Sequence, residues 1–249
     1  MRQYSLFQMY EPFRQSLIAE HRFYVDQARQ RLLSQFDDIE SEANRASAEW
    51  LEKNGHRFDP DRHDEASFLE SAHDAGLEFY ELLNAMRTRT QLSVVAGMYH
   101  EWDKRFRKWL VGDISRWCRG DAVSSKIWTV DIGKLINFLE GLGWEIKSQC
   151  YFSKLDACRV VVNVYKHGEG NSLNELKHRY REYFSHPLSN IGSGYSYLDH
   201  IDDSHLLVTD KQLQEFSDAI VSFWQSVPAE IYEKEDLDFP DWFVKAANK

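Results

Sequence analysis

Apolar side chains return every three or four residues along most of the first 117 positions, and that spacing commits the chain to helices. Leu6, Tyr10, Phe13, Leu17 and Ile18 begin the pattern, and Tyr24, Ala28, Leu32 and Phe36 continue it. Residues 4 to about 53 therefore read as one or two long helices. Asn54-Gly55 stops the run, and the polar, proline-bearing HRFDPDRHDE leads onward. Periodicity resumes at Glu65 with Phe68, Leu69, Ala72, Leu77, Tyr80 and Leu83, and continues through Leu92, Val95, Tyr99, Trp102, Phe106 and Trp109 toward Trp117. Thr88 and Thr90, β-branched and weak in helices, predict a break near 87–90. Five prolines and twelve glycines in 249 residues leave few places to turn.

Farther along, 118–130 reads as a loop, and 131–141 as a short helix stopped by Gly141 and Gly143. A helix from about Ser148 to His167 closes at Gly168. Ser172 and Glu175 then have the spacing of a capping box, which predicts a helix running to about Phe184. HPLSNIGSGYSYLDH (186–200) is a loop, and His205–Thr209 is the one credible strand. Thr209 or Asp210 caps a last firm helix with Leu213, Phe216, Ile220, Phe223 and Trp224 on its inner stripe. Trp242 and Phe243 equip the acidic tail after Pro228 to dock back. The expected fold is all-α, a multi-helix bundle in one domain over 1–249. Within it, long N-terminal helices occupy 1–90, a C-terminal bundle 91–226 and a tail 227–249.

A hydrophobic content of 43% is far from the signature of disorder. No apolar run reaches the ~18 residues of a membrane span, and MRQYSLFQMYEPF lacks the apolar region of a signal peptide. Cys118, Cys150 and Cys158 form no CxxC pair and their odd number argues against a disulfide framework, so a reducing cytoplasm is expected. A formal net charge of −10 is unsuited to coating nucleic acid with the whole surface. One local basic stretch stands out: Lys104, Arg105, Arg107, Lys108, Arg116 and Arg119 interleave with Trp109 and Trp117. Such a stretch can hold RNA by stacking and phosphate contact. It is equally what an amphipathic helix with tryptophans inside and charges outside would show.

The sharpest local signal is CRVVVNVYKHG, residues 158–168. Arg159, Asn163 and His167 stand four residues apart, so each is turned only about 40° from the last and all three share one stripe of a helix. Cys158, Val162 and Tyr165 lie on another face and can pack inward. Guanidinium, amide and imidazole along one stripe suit phosphate handling or proton transfer. The same residues also suit a purely structural role, with His167 at the helix C-terminus facing the macrodipole and Asn163 solvated.

Asn163-Val-Tyr-Lys-His167-Gly168, ending one helix and followed by another, resembles the signature of the HEPN (higher eukaryotes and prokaryotes nucleotide-binding) superfamily. The resemblance is loose over about 90–226 and sharp over the eleven-residue stretch. It implies a HEPN-like C-terminal helical bundle and a metal-independent endoribonuclease that works without a cofactor as a homodimer. The setting it implies is a toxin or antiviral defence system with an antitoxin or other defence partner. Arg159, Asn163 and His167 would be catalytic: His167 as general acid or base, Arg159 stabilising phosphate charge, Asn163 orienting. Lys166, Arg179 and Arg181 would bind RNA. The arginine that members carry directly before the polar residue is here Val162, and Arg159 lies one turn upstream. Loose Arg-x(4–6)-His matches also occur at Arg14/His21, Arg179/His186 and Arg181/His186, the last being the second candidate site. Glu70/His73 and Glu175/His178 have the spacing of di-iron ligands in helical bundles, but further inward-facing glutamates are not evident, and no metal site is expected. The alternative reading is a non-catalytic helical interaction or scaffold protein, antitoxin-like or defence-associated.

Overall fold

The periodic stretches fold as helices, and among the described residues the protein is all-α apart from one short strand pair. The computed structural model describes residues 4–62, 64–118, 120–185, 200–233 and 239–248. Strand β1 (Ser5–Gln8) leads into α1 (Glu11–Arg31), α2 (Ile39–Asn54) and the long α3 (Glu65–Ile114). Four shorter helices follow: α4 (Asp121–Thr129), α5 (Ile132–Gly141), α6 (Phe152–His167) and α7 (Asn171–Arg179). Helix α8 (Asp210–Ser226), strand β2 (Glu230–Tyr232) and α9 (Asp241–Ala247) complete the order. No described helix is long and apolar enough to cross a membrane.

Several local expectations are corrected. Helix α3 runs unbroken through 87–90, with the hydroxyls of Thr88 and Thr90 bonded back to the carbonyls of Asn84 and Met86 within the helix. The expected loop at 118–130 contains α4, whose Val123 and Ile127 are buried one turn apart. The strand expected at His205–Thr209 is reduced to a single bridge, Phe184 to Leu206. The true strands are β1 and β2, paired antiparallel with Phe7 opposite Ile231. Helix α7 stops at Arg179 rather than near Phe184. Its start is set by Gly170 at φ +125°, a conformation glycine adopts freely, and Ser172 lies inside the helix rather than capping it. The 186–199 part of the expected loop lies outside the described residues.

Two compact units divide the chain. One comprises Met1–Val25 and Val95–Lys249, the other Asp26–Val94. Residues up to Val25, which include β1 and most of α1, group with the later part of the chain, where β1 is held by several bonds. Gln8 donates its backbone N–H to the Asp113 carboxylate at 2.6 Å, and the indoles of Trp109 and Trp117 donate to the carbonyls of Gln8 and Leu6. Phe7 is fully buried.

The core of this first unit is aromatic. Phe223 of α8 meets Trp102 and Phe106 of α3 edge-to-face, with centroids 5.1 and 5.2 Å apart, and Trp144 at 5.3 Å. Phe243 of α9 stacks on Phe138 and Trp117, which is the docking of the tail that its aromatics foretold. Of the basic stretch, Lys104, Arg105, Lys108 and Arg116 are exposed while Trp102, Phe106 and Trp109 are buried, an amphipathic helix in the ordinary sense. Arg107 is the exception. It is buried, bonded through Nε to the Asp103 carboxylate and through Nη1 to the carbonyls of Ile127 and Val130 at the end of α4. Arg119 lies outside the described residues.

Helix α8 is capped at Thr209, one of the two residues expected there, and the cap is a capping box with Gln212 as its reciprocal partner. Its Ser217 hydroxyl lies 3.0 Å from Nε2 of His21 on α1. Burial is the main cause that drives the His21 pKa down from 6.5 to about 4. A histidine that resists protonation when folded but not when unfolded makes the unfolded chain bind more protons between these two values. Stability is therefore expected to fall as pH drops from about 6.5 to about 4, by up to about 3 kcal/mol from this group. Urea midpoints across that range measure it, and His21→Leu should flatten this part of the acid slope. An equally steep slope in the variant would assign the effect to other groups.

In the unit over Asp26–Val94, α2 lies against the first half of α3 at Gly76, where a Cβ would come within 3.0 Å of the Ala43 carbonyl oxygen. Trp50, Phe58 and Phe68 form a small aromatic cluster beside it. This unit carries fifteen carboxylate residues against eight lysines and arginines, so most of the net negative charge resides in it. It also leaves Leu69, Leu77, Leu82 and Met86 exposed.

Candidate functional site

Helix α6 buries one side completely. Leu155, Cys158, Val161, Val162 and Val164 are all within a few percent of full burial, and burial pushes the Cys158 thiol far up, leaving it inert. Tyr165, expected inside, is exposed at 39%, because valines at 161, 162 and 164 already fill the inward face. The stripe Arg159, Asn163, His167 emerges along the boundary: Arg159 and Asn163 half-buried, His167 exposed in the last turn beside exposed Lys166. Gly168, at φ +67°, ends the helix and donates its N–H to the Val164 carbonyl at 2.8 Å. Asn163 and His167 have no side-chain hydrogen bond or ion pair among the described residues.

Arg159 stands in a different environment. Its Nε donates to Asp156 Oδ1 at 2.8 Å and its Nη2 to Glu175 Oε1 at 2.9 Å. Arg179 meets the same two carboxylates, Asp156 Oδ2 at 2.7 Å and Glu175 Oε1 at 2.5 Å, and the Tyr180 hydroxyl donates to Asp156 at 2.7 Å. Burial raises the Asp156 carboxyl, but the Tyr180 hydroxyl and the two guanidinium groups outweigh it and hold the group below the usual carboxylate range. The result is a closed network of two cations and two anions that ties α6 to α7. Glu175, with the spacing of a capping residue, serves as the hub of these bonds.

The sequence marks Arg159 but not its carboxylates. Asp156 precedes it by three residues, a pairing that helical spacing alone allows. Glu175 reaches it only through the turn at Gly168–Gly170. Behind the network lies a cleft of about 360 Å³, lined by Arg159, Arg179, Asp156, Lys147 and Tyr99 among others. Arg181 is exposed and donates Nε to the Lys177 carbonyl, apart from that network. His186, its partner in the second candidate pair, lies outside the described residues.

At the other end of the stripe the carboxyl of Asp203 comes within 3.6 Å of where a Cβ on Gly168 would stand. An acid thus lies beside the end of α6, supplied by a short 3₁₀ turn, Asp203–His205, for which local periodicity gives no signal. Glu175 and His178 do not converge on a metal. The carboxylate is engaged by arginines, and the imidazole Nδ1 lies 2.7 Å from the Asn174 carbonyl oxygen. Among the described residues no three His, Cys, Asp or Glu side chains are grouped to hold a metal ion. In comparisons with known proteins the chain matches no family model, no curated protein and no solved structure.

Proposed function

We propose that the end of α6 is the reactive centre of a metal-independent endoribonuclease of the HEPN-like kind, acting as a homodimer in a toxin or phage-defence system. The observation that carries this reading is the exposed Lys166-His167 pair, aligned with Asn163 on one stripe, with neither Asn163 nor His167 engaged by a described residue. In the reaction the ribose 2′-oxygen attacks the adjacent phosphorus and the bond to the 5′-oxygen breaks, leaving a 2′,3′-cyclic phosphate and a 5′-hydroxyl. One imidazole takes the 2′-hydroxyl proton and another gives a proton to the leaving 5′-oxygen. One stripe per chain offers a single such histidine, so two copies facing each other supply both roles. Lys166 provides positive charge for the phosphate and Asn163 orients it. Arg159, already shared between Asp156 and Glu175, acts as a positioning residue that fixes α6 against α7.

Total RNA incubated with the purified chain and excess chelator should yield discrete fragments with cyclic phosphate ends. Light scattering at micromolar concentration should report a dimer. Intact RNA overturns the nuclease, and a strict monomer overturns the paired-histidine mechanism.

A second reading, a non-catalytic interaction or scaffold protein, is favoured by a specific observation. The unit over Asp26–Val94 exposes Leu69, Leu77, Leu82 and Met86 on strongly acidic helices, a composition suited to holding a basic, apolar partner. Under that reading the RNA stays whole and the fold is unaffected by changes at His167.

A further inference from the structure

We propose that the cleft formed by α1, α3 and α8 binds a small aromatic amine, a flat uncharged ring in its depth with an ammonium group at its mouth. This site is separate from the α6 stripe and does not depend on the nuclease reading. The cleft encloses about 380 Å³, within the range of roughly 300–1,000 Å³ typical of small-molecule sites. Leu17, Met98, Trp102 and Trp224 form a floor that is almost wholly buried, and exposed Glu20, Glu101 and Arg105 form the rim.

The wall owes its shape to a glycine. A Cβ at Gly97 would lie 2.2 Å from the Tyr24 hydroxyl oxygen, so the missing side chain lets Tyr24 lie against α3 at the edge of the cleft. A floor of two indoles, a thioether and a leucine favours a planar aromatic ring, which gains dispersion and edge-to-face contact there.

Charge narrows the class further. Of the three rim groups two are carboxylates, and the one guanidinium is already paired, Arg105 Nη2 to Glu20 Oε2 at 2.7 Å. His21, the other basic group in the lining, is neutral at ordinary pH because its environment disfavours the imidazolium. A ligand carboxylate or phosphate meets two rim carboxylates against one guanidinium, and would have to take Arg105 from Glu20. A ligand ammonium at the rim finds Glu101, whose charge reaches into the cleft and, after burial, is the second cause that raises the Tyr24 hydroxyl. Lys104 holds Glu101 from outside at 2.8 Å, but both groups are exposed and such a pair is exchanged at little cost.

Three probes share one ring and differ only in charge: tryptamine, indole and indole-3-acetate. Calorimetric titration of the full chain should show saturable binding of tryptamine, with indole weaker and indole-3-acetate weakest. Each step is expected to be up to about fivefold, the worth of one exposed charge contact. Glu101→Gln, a surface change, should erase the advantage of tryptamine over indole and leave indole itself unaffected. Met98→Trp and Leu17→Trp each fill the floor and should abolish binding of both while circular dichroism reports an intact fold. Absence of saturable binding by tryptamine and indole overturns the site. Tightest binding by indole-3-acetate, undiminished binding in a folded floor-filling variant, or a tryptamine advantage that survives Glu101→Gln overturns the assigned chemistry.

Discussion

His167→Ala is expected to lower RNA cleavage by about 10²–10⁴-fold, the usual contribution of a positioned acid or base, while leaving unfolding free energy within about 0.5 kcal/mol of the parent. The separation of the two effects follows from position. His167 is exposed in the last turn of α6, Gly168 rather than the imidazole terminates the helix, and no described side chain is bonded to the ring. Truncation opens no cavity. His178 provides a control, since its ring is exposed and spent on the Asn174 carbonyl within α7, and His178→Ala should cleave at the parental rate. Inactivation by His186→Ala with His167→Ala still active would move the site to the Arg181/His186 pair. A His167→Ala protein that melts early yet cleaves normally would make the histidine a structural residue.

Arg107→Met is expected to cost about 3–5 kcal/mol of stability, the range for removing one partner of a buried charged pair. The loss has two sources. Asp103 is left at a largely buried position without the guanidinium N–H shared by both its oxygens, and the Ile127 and Val130 carbonyls at the end of α4 lose their donor. Asp103→Asn added to Arg107→Met should recover the first part and not the second, because the carbonyls remain unbonded. Lys108→Met, one residue away but exposed, should change stability by less than about 0.5 kcal/mol. Urea unfolding of the three variants and the parent reads all of this. Near-parental stability in Arg107→Met would mean that α4 is held by Val123 and Ile127 alone.

Legibility of the fold in the sequence follows the range of the interactions involved. Helix α8 is readable because everything that defines it is local: the Thr209–Gln212 box, then Leu213, Phe216, Ile220 and Phe223 at helical steps. The continuity of α3 is less so, since a threonine weakens a helix on average but can bond back into it, and propensity does not distinguish these outcomes. Helix α4 escapes a periodicity reading because nine residues offer only Val123 and Ile127 as its buried stripe. Strand β1 escapes it altogether, as Ser5–Gln8 becomes a strand only through residues more than two hundred positions away. At the site, the common stripe of Arg159, Asn163 and His167 follows from helix geometry. The pinning of Arg159 does not, because Glu175 arrives from the next helix around a turn whose register is set by Gly170.

The pairing of β1 with β2 also orders events during synthesis. A chain emerging from the ribosome can form α2 and the first half of α3 early, because their contacts at Gly76 and around Phe68 are near in sequence. Ser5–Gln8 emerges before these helices but has its partner strand only once Glu230–Tyr232 is made. Until then Phe7, destined for complete burial, and one edge of backbone hydrogen-bonding groups stay uncovered. A segment made well before its partner is thus among the last to be finished, and for that interval it is a part of the nascent protein in need of a chaperone.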